Sequence, residues 1–482
     1  MDLDAKAGQL FVVAARAGTL IEELEHHVRD NHIGGVIWFQ STTTETARVN
    51  AHLQSLARVP LLISADLEAG MGMRFTDAEW WPPAMAIAAA GDPQFAEAQA
   101  RATARAARAI GINHIFAPVA DVNVDRENPV INTRSFGENA NEVARSVAAF
   151  VRGLEDEGVL ATAKHFPGHG DTHVDSHRAL PVLGVTRERL EEVELVPFRA
   201  AIAAGVSSIM IGHLSVPALD ATHAPVLRDF DNVYGTTRDE VPHHATMPAT
   251  LSKPIIDLLR NELRFDGLVI TDAMDMGGLA AHFDPGEAAV RAIEAGEDQV
   301  LFSPEPDLAI RAVKDAVRSG RLPMSRIDEA VERVMHAKRK VAAGPRASRE
   351  PQFTADDIAE RAIRIVRDTN NLLPLRAKKI AAIAVTPHDD SLDLALQGIN
   401  ANANVDDADV LVMLLAIRPK SGAGAISIPP NALDFALRHA QKTIAISFGS
   451  PYIERELEGV STFICAWGPQ PVLQRAALRA LR

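Results

Sequence analysis

The chain alternates short apolar runs, rich in Val and Ile, with longer stretches whose apolar residues have helical spacing. Eight of the runs are candidate strands, at 9–14, 34–39, 61–66, 114–122, 160–166, 207–214, 267–273 and 298–303. Helical stretches lie between them, among others at 94–110, 139–157, 186–204, 251–263 and 284–295. Fully apolar strands separated by helices are typical of a parallel sheet that is covered on both faces. Eight of them predict a (β/α)8 barrel of the TIM type, with an open doubly wound sheet as the alternative.

A second pattern begins near residue 343. The stretch 343–353 is small and polar and has two prolines, which predicts a linker between a barrel domain at 1–342 and a second domain at 354–482. Apolar runs at 379–385, 409–417, 443–449 and 462–468 then predict a smaller α/β sandwich. The chain ends within an apparent helix, AALRALR, so we expect this domain to be cut short. The polar stretch 218–246 is expected to form a long loop over the barrel mouth.

Composition narrows the class of protein. The 482 residues are 47% hydrophobic, and the net charge is −14, which argues against nucleic acid or an anionic membrane as the main partner. The single cysteine, Cys465, permits neither an intrachain disulfide nor a thiolate metal cluster. No signal-peptide pattern and no apolar run near the ~20 residues of a membrane span are present. We therefore expect a cytoplasmic protein, or an exported one if a signal peptide has been removed.

Polar side chains follow most of the predicted barrel strands. They are Asp66 and Glu68 after the third strand, Asp121, Asn123 and Arg134 after the fourth, Lys164 and His165 at the fifth, His213 at the sixth and Asp272 at the seventh. Active sites of such barrels lie at the carboxyl ends of the strands. One such residue alone reads equally well as a loop cap, but the set together indicates a polar pocket.

The segment KHFPGHGDTHVDSH, residues 164–177, places four histidines at intervals of four: His165, His169, His173 and His177. On a helix this spacing would suit a zinc ion. Pro167, Gly168 and Gly170 break such a helix, so the segment is expected to be a loop. A zinc-dependent barrel hydrolase is kept as the alternative.

Asp175 and His177 lie two residues apart in this loop, close enough in sequence to face the same way. A carboxylate bonded to one imidazole nitrogen fixes the tautomer and leaves the other nitrogen for proton transfer near neutral pH. Asp272, in GLVITDAMDMGG, directly follows a buried strand, where a carboxylate needs partners to offset desolvation; Asp275 competes for its role. Lys164, Arg134 and His213 are the candidate partners of Asp272.

Four motifs together resemble the family 3 glycoside hydrolases, and more narrowly their β-N-acetylglucosaminidase branch: KHFPGHGDTHVDSH, FAPVADVN, NTRSFG and GLVITDAMDM. The likeness runs along essentially the whole chain. It implies that Asp272 is the nucleophile, that His177 is the acid/base, and that Asp175 orients it. It further implies a set of residues that hold the sugar: Asp66, Arg134, Lys164, His165 and His213. The chain departs from the usual Asp-Gln-Glu-Gly-Gly-Arg pattern, because Met71 stands at the basic position, although Arg74 remains.

The resemblance implies a retaining, exo-acting enzyme that releases terminal β-linked N-acetylglucosamine, with a carbohydrate as its partner and neither cofactor nor metal. A His acid/base in place of the Glu of the glucosidase branches favours N-acetylglucosamine over glucose. A β-glucosidase, a broader β-glycosidase or a phosphorylase of the same family is the alternative within the class. A catalytically silent sugar-binding protein is a further alternative.

Overall fold

The computed structural model describes residues 1–227, 245–388, 390–422 and 424–482. Most of the predicted mouth loop, 228–244, therefore lies outside the described residues. Eight parallel strands form the first sheet: β1 (Phe11–Ala15), β2 (Gly35–Trp38), β3 (Leu62–Ala65), β4 (His114–Ile115), β5 (Leu160–Phe166), β6 (Ser208–Ile211), β7 (Leu268–Thr271) and β8 (Val300–Leu301). Their order is β7-β6-β5-β4-β3-β2-β1-β8, and a parallel bridge from Ile270 to Gln299 joins the two ends. The predicted TIM-type barrel is confirmed.

Helices surround this barrel. They are α1 (Leu3–Gln9), α2 (Ile21–Arg29), α3 (Thr43–Leu56), α4 (Ala84–Ala89), α5 (Gln94–Ala109), α6 (Ala140–Asp156), α7 (Arg187–Arg189), α8 (Leu195–Ala203), α9 (Lys253–Asp257), α10 (Gly277–Ala280), α11 (Pro285–Ala295), α12 (Pro306–Arg318) and α13 (Met324–Ala343). Local sequence sets several of their starts: the Asn139 side chain accepts hydrogen bonds from Asn141 N and Glu142 N at the start of α6. None of the helices in the described residues is long and apolar enough to cross a membrane.

Alternate residues of the strands face opposite sides of the barrel wall. One buried cluster fills the interior with residues of five strands and of the segment after β4: Val12, Ile37, Phe116, Met210, Ile270 and Leu301. Their neighbours in sequence, such as Val13, Val36 and Val269, pack in the larger cluster under the helices. The period of two in a strand thus builds both the filled interior and the outer layer.

The rest of the chain forms a second unit. Its sheet has the order β10-β11-β12-β13-β9, from β9 (Arg364–Asp368), β10 (Ile380–Val385), β11 (Val410–Leu415), β12 (Thr443–Ser447) and β13 (Thr462–Cys465). Its helices are α14 (Ala355–Ala362), α15 (Asp393–Ile399), α16 (Pro430–Arg438) and α17 (Pro471–Ala480). Val412 and Leu414 pack on one face of β11, and Met413 and Leu415 on the other, so the sheet is covered on both sides as in an α/β sandwich.

Two strands of the structure, β4 and β9, differ from those predicted. β4 is much shorter than the predicted run 114–122, because Pro118 has no N–H to donate to a ladder. The antiparallel strand β9 was not predicted; it lies at the sheet edge, where Ile365 and Val366 are exposed.

The domain boundaries stay predictions, although α13 ends at Ala343 and α14 begins at Ala355. The stretch between them binds the barrel. The buried Glu157 carboxylate accepts hydrogen bonds from Ser348 Oγ at 2.6 Å and Arg349 N at 3.1 Å.

Candidate active site

The polar residues predicted at the strand ends meet at one rim of the barrel. Because all eight strands are parallel, their carboxyl ends lie at the same end of the sheet. Asp66 follows β3, His213 follows β6 and Asp272 follows β7. Lys164 and His165 are among the last residues of β5. The structure divides them into two groups, one around Asp272 and one around Asp66.

The Asp175–His177 pair is formed. His177 Nδ1 lies 2.7 Å from Asp175 Oδ1, which also accepts the His177 backbone N–H at 2.9 Å. Asp175 is buried, whereas the His177 side chain keeps 18% of its surface exposed. Burial on its own would raise the pKa of Asp175, but the hydrogen bond and charge of His177 hold it below the usual value. An ionised Asp175 makes Nδ1 the donor and leaves Nε2 for proton transfer.

Backbone hydrogen bonds join this loop to the loop after β7. Gly277 N donates to His177 O at 2.9 Å, and Gly278 N donates to Ser176 O at 3.0 Å. A Cβ at Gly277 would lie 2.3 Å from Arg178 O and 2.7 Å from His177 O. Glycine is therefore required where the two loops touch.

Asp272 lies in a group of imidazoles. Its Oδ1 accepts a hydrogen bond from Ala273 N at 2.8 Å. Burial would raise the pKa of Asp272, but the charges of His165, His213 and His177 and this hydrogen bond lower it below the usual value. Of the three predicted partners, His213 acts on Asp272 through its charge, while its two ring nitrogens bind Thr250 and Ala273 O. Lys164 and Arg134 bind other carboxylates instead, so the prediction is wrong for these two. An ionised, poorly solvated carboxylate is the form that a covalent nucleophile needs.

Asp275, the competitor, has the opposite environment. Burial raises its pKa to about 6, although the charge of His177 opposes this. Two carboxyl groups whose surroundings move their pKa values apart are suited to different roles. Asp272 is thus ionised over a wider pH range than Asp275, which favours Asp272 as nucleophile.

A network of five charged groups lies around Asp66: Asp66, Glu68, Arg74, Arg134 and Lys164. Lys164 Nζ binds Asp66 Oδ1 at 2.8 Å and Glu68 Oε1 at 2.7 Å. Arg134 binds Glu68 through Nε at 2.9 Å and Nη2 at 2.8 Å. Burial would raise the pKa of Asp66, but Lys164 and Arg74 lower it to about 2. The pKa of Glu68 also lies well below its usual value, because Arg134 and Lys164 outweigh its burial.

Arg74 was not predicted as a site residue. Its Nη2 donates to Asp66 Oδ2 at 2.6 Å. Arg74, eight residues after Asp66, thus supplies Asp66 with the cation that is missing at Met71. Only its presence beyond the altered motif gave a signal in the sequence.

The remaining sugar-binding candidates are held by their own partners. His165 Nδ1 lies 2.8 Å from the buried Asp121 Oδ2. His213 Nε2 lies 2.9 Å from Ala273 O, a pure acceptor, so Nε2 carries a proton, and Nδ1 lies 2.9 Å from the Thr250 hydroxyl. Burial lowers the pKa of His213 below its usual value, and the charge of Asp272 opposes this.

The other two loop histidines point to different partners. His169 is buried between Thr172 Oγ1 at 2.8 Å and Ser176 Oγ at 3.0 Å, and burial lowers its pKa to about 4. His173 is 77% exposed and pairs with Asp125 at 2.8 Å. Among the described residues, one group of at least three His, Cys, Asp or Glu ligand atoms is close enough to share an ion, and it lies elsewhere, at His26, His27 and Asp307. The geometry does not gather His165, His169, His173 and His177 around one point.

The sequence of this chain is similar to those of known proteins over its whole length. Residues 2–337 match the family model "Glycosyl hydrolase family 3 N terminal domain". The chain is 31% identical to a β-N-acetylglucosaminidase/β-glucosidase of Cellulomonas fimi, over 100% of this chain and 92% of that protein. The family model covers the whole barrel and the relative covers the whole chain, so this protein is a glycoside hydrolase, and the chain belongs to glycoside hydrolase family 3.

Two solved structures are similar over different lengths. A family 3 β-N-acetylglucosaminidase from Paenibacillus sp. is 31% identical, with a TM-score of 0.85, over 100% of this chain and 96% of that one. A β-N-acetylhexosaminidase from Beutenbergia cavernae is 30% identical, with a TM-score of 0.60, over 70% of this chain and 98% of that one. The whole architecture, barrel and second unit, therefore has a counterpart in the Paenibacillus enzyme.

Proposed function

We propose that this glycoside hydrolase is a retaining, exo-acting β-N-acetylglucosaminidase. The observation that carries the proposal is the 2.7 Å hydrogen bond between Asp175 and His177. The charge of His177 also lowers the pKa of Asp272, which supports a role for both groups in one site. Retaining glycosidases normally use two carboxyl groups, one as nucleophile and one as acid/base. Here an imidazole with an ionised partner takes the second position.

In the first step, Asp272 attacks the anomeric carbon, and His177 Nε2 gives its proton to the leaving oxygen as the glycosidic bond breaks. This forms a glycosyl ester on Asp272 and leaves a neutral His177. In the second step, His177 removes a proton from water, whose oxygen attacks the anomeric carbon and releases Asp272. Two inversions leave the sugar with its β-configuration.

Asp66, Arg134, Lys164, His165 and His213 are proposed to hold the sugar, together with Arg74. In the free protein, Lys164 and the two arginines are already fixed by Asp66 and Glu68. Groups that are oriented before substrate arrives lower the entropic cost of positioning it. Neither a metal nor a cofactor takes part in these steps.

The proposed substrate is a terminal β-linked N-acetylglucosaminide, from a cell-wall fragment, a chitin oligomer or a glycoconjugate. Support comes from the names of the similar proteins and from the Asp-Ser-His element. Because the Cellulomonas fimi relative is named for both activities, a β-glucosidase is the second candidate. A pocket built to bind the acetamido group rejects glucose strongly, since a buried polar group would lose its partner.

A panel of nitrophenyl glycosides tests the proposal. We expect kcat/KM for the N-acetyl-β-glucosaminide to exceed that for the β-glucoside by at least about tenfold. This is the discrimination that the loss of a single favourable contact in the pocket produces. Asp272→Asn should abolish turnover of both, with Asp275→Asn as the matched control on the same loop. Equal rates on both sugars would favour a broader β-glycosidase, and parallel assays with phosphate separate hydrolysis from phosphorolysis.

A further inference from the structure

Gly422, in the segment that follows β11, brings the second unit into contact with the Asp175–His177 pair. Gly422 N donates a hydrogen bond to Asp175 Oδ2 at 2.6 Å. In the opposite direction, Arg178 Nη1 donates to Gly422 O at 3.4 Å. A residue nearly 250 positions away in sequence thus touches the carboxylate beside the proposed proton donor.

Both carboxylate oxygens of Asp175 are hydrogen-bonded as a result. Oδ1 accepts from His177 N and Nδ1, and Oδ2 accepts from Gly422 N. A carboxylate held at one oxygen can still rotate about its Cβ–Cγ bond, whereas one held at both cannot. The plane of the carboxylate fixes the direction of the Nδ1 hydrogen bond, and through it the plane of the imidazole ring.

Residues before and after Gly422 are held by the rest of the second unit. At the start, Arg418 binds the Asp390 carboxylate through Nε and Nη2 at 2.7 to 3.0 Å. Ser450 N donates to Ile417 O at 2.7 Å, which ties the same end to the loop after β12. At the far end, Ile428 N lies 3.3 to 3.4 Å from the Glu456 carboxylate. The position of Gly422 therefore follows the position of the second unit.

The barrel contacts the second unit close by. Asn123 Nδ2, in the loop after β4, donates to Tyr452 Oη at 3.2 Å. The guanidinium of Arg126 lies 5.8 Å from the centre of the Tyr452 ring. These contacts hold the second unit against the rim that carries Asp175.

We propose that Gly422 is a positioning residue for the Asp175–His177 pair, so that the acid/base is fully oriented only when the second unit is docked on the barrel. The inference rests on the proposed function. It assigns the second unit a part in proton transfer, through a backbone amide and not through a side chain. Gly422 acts on the substrate only through Asp175 and His177.

Replacement of Gly422 by proline removes the N–H donor. Gly422→Asn keeps the donor and tolerates the positive φ of 77° at this position. Because proline fixes φ near about −65°, it also strains the backbone at this position. Gly424→Pro is the matched control for that strain, because Gly424 has a similar φ of 81° and a Cβ there would meet nothing within 4 Å. We expect Gly422→Pro to lower kcat/KM about tenfold on an alkyl N-acetylglucosaminide, the lower range for a hydrogen bond to a charged group. Its loss in the glycosylation step with a dinitrophenyl glycoside should be much smaller, and Gly422→Asn and Gly424→Pro should stay within about twofold.

A double-mutant cycle with Asp175→Ala separates positioning from general damage. If Gly422 acts through Asp175, adding Gly422→Pro to Asp175→Ala should cause little further loss. The same loss in both backgrounds, or an equal loss in Gly424→Pro, would overturn the inference while leaving the proposed function intact. If Asp175→Ala alone is as active as the unmodified protein, the proposed function itself fails. Circular dichroism and unfolding curves confirm that each variant is folded.

Discussion

Replacement of His177 by alanine should harm substrates according to their leaving groups. A sugar or alkyl alkoxide leaves poorly and needs a proton, which we propose comes from His177 Nε2, whereas a dinitrophenolate leaves without one. General acid catalysis is worth about 10²–10⁴-fold, so kcat/KM on natural linkages should fall by that factor. The loss in glycosylation with the dinitrophenyl substrate should be far smaller.

The structure sets the size of the companion effect at Asp175. Asp175→Ala removes the 2.7 Å hydrogen bond between Nδ1 and a buried, charged acceptor but leaves the ring in place. Hydrogen bonds to charged groups contribute about 1.5–3 kcal/mol, which corresponds to about 10–100-fold in rate. Asp175→Ala should therefore show the same dependence on leaving group as His177→Ala, in weaker form.

The assay compares alkyl, nitrophenyl and dinitrophenyl N-acetyl-β-glucosaminides, with and without azide. Without a base, deglycosylation of His177→Ala limits the activated substrate, and mass spectrometry should detect the glycosyl ester on the peptide of Asp272. Azide needs no base, so it should restore turnover and yield the β-glycosyl azide. His173→Ala is the matched control, since this loop histidine is exposed and pairs with Asp125 instead.

An equal loss of rate on every substrate in His177→Ala, with no rescue by azide, would refute the acid/base role of His177. His177 would then bind the sugar, and another group would donate the proton. Glu68 is a poor replacement, because Arg134 and Lys164 keep its pKa well below the usual value. The next candidates for the proton donor would be Asp171 and the second-unit carboxylates Glu454 and Glu456.

Three further outcomes are expected. Lys164→Met leaves the Asp66 and Glu68 carboxylates without their shared cation, so urea denaturation should show a loss of about 3–5 kcal/mol in unfolding free energy, against little change for the exposed control Lys253→Met. Burial raises the pKa of Glu194 from 4.5 to about 6, so the folded state binds more protons between these values, and stability should fall as pH rises through this window by up to about 2 kcal/mol. Glu194→Gln should flatten that slope in unfolding curves at pH 4.5 and 6.5, and an unchanged slope would contradict the assignment. Dialysis against a strong chelator should leave activity unchanged, whereas a loss that zinc restores would favour the zinc-dependent alternative.

The barrel could be predicted from the sequence because burial specifies its strands residue by residue. The first three residues of β7, LVI, are all apolar, since both faces of the barrel wall are packed. Strand β9 carries no such signal: RIVRD has two arginines and lies at a sheet edge, where nothing demands an apolar pattern. β4 was predicted too long because apolarity alone does not show that the ladder is interrupted around Pro118 and resumes as an isolated bridge from Val119 to Lys164.

The sequence indicated which polar side chains lie at the barrel rim, but not which of them pair with each other. Asp175 and His177 are neighbours in sequence, so their contact could be expected from a short loop. The partners of Lys164, by contrast, come from another strand end nearly 100 residues away, and which carboxylate it binds depends on barrel geometry. The contact of Gly422 with Asp175 could not be predicted, because it is made by a backbone N–H, which nearly every residue has.

The hydrogen bonds from Gly277 and Gly278 to the carbonyls of residues 176–177 have a consequence for protein engineering. They join the loop that carries His177 to the segment 272–278, which carries Asp272, through main-chain atoms, and Gly277 leaves no room there for a side chain larger than hydrogen. A chimera that imports a foreign 167–178 loop should keep its activity only if residues 272–278 are taken from the same donor. Laboratory recombination of this scaffold therefore has to place its crossover points outside both loops.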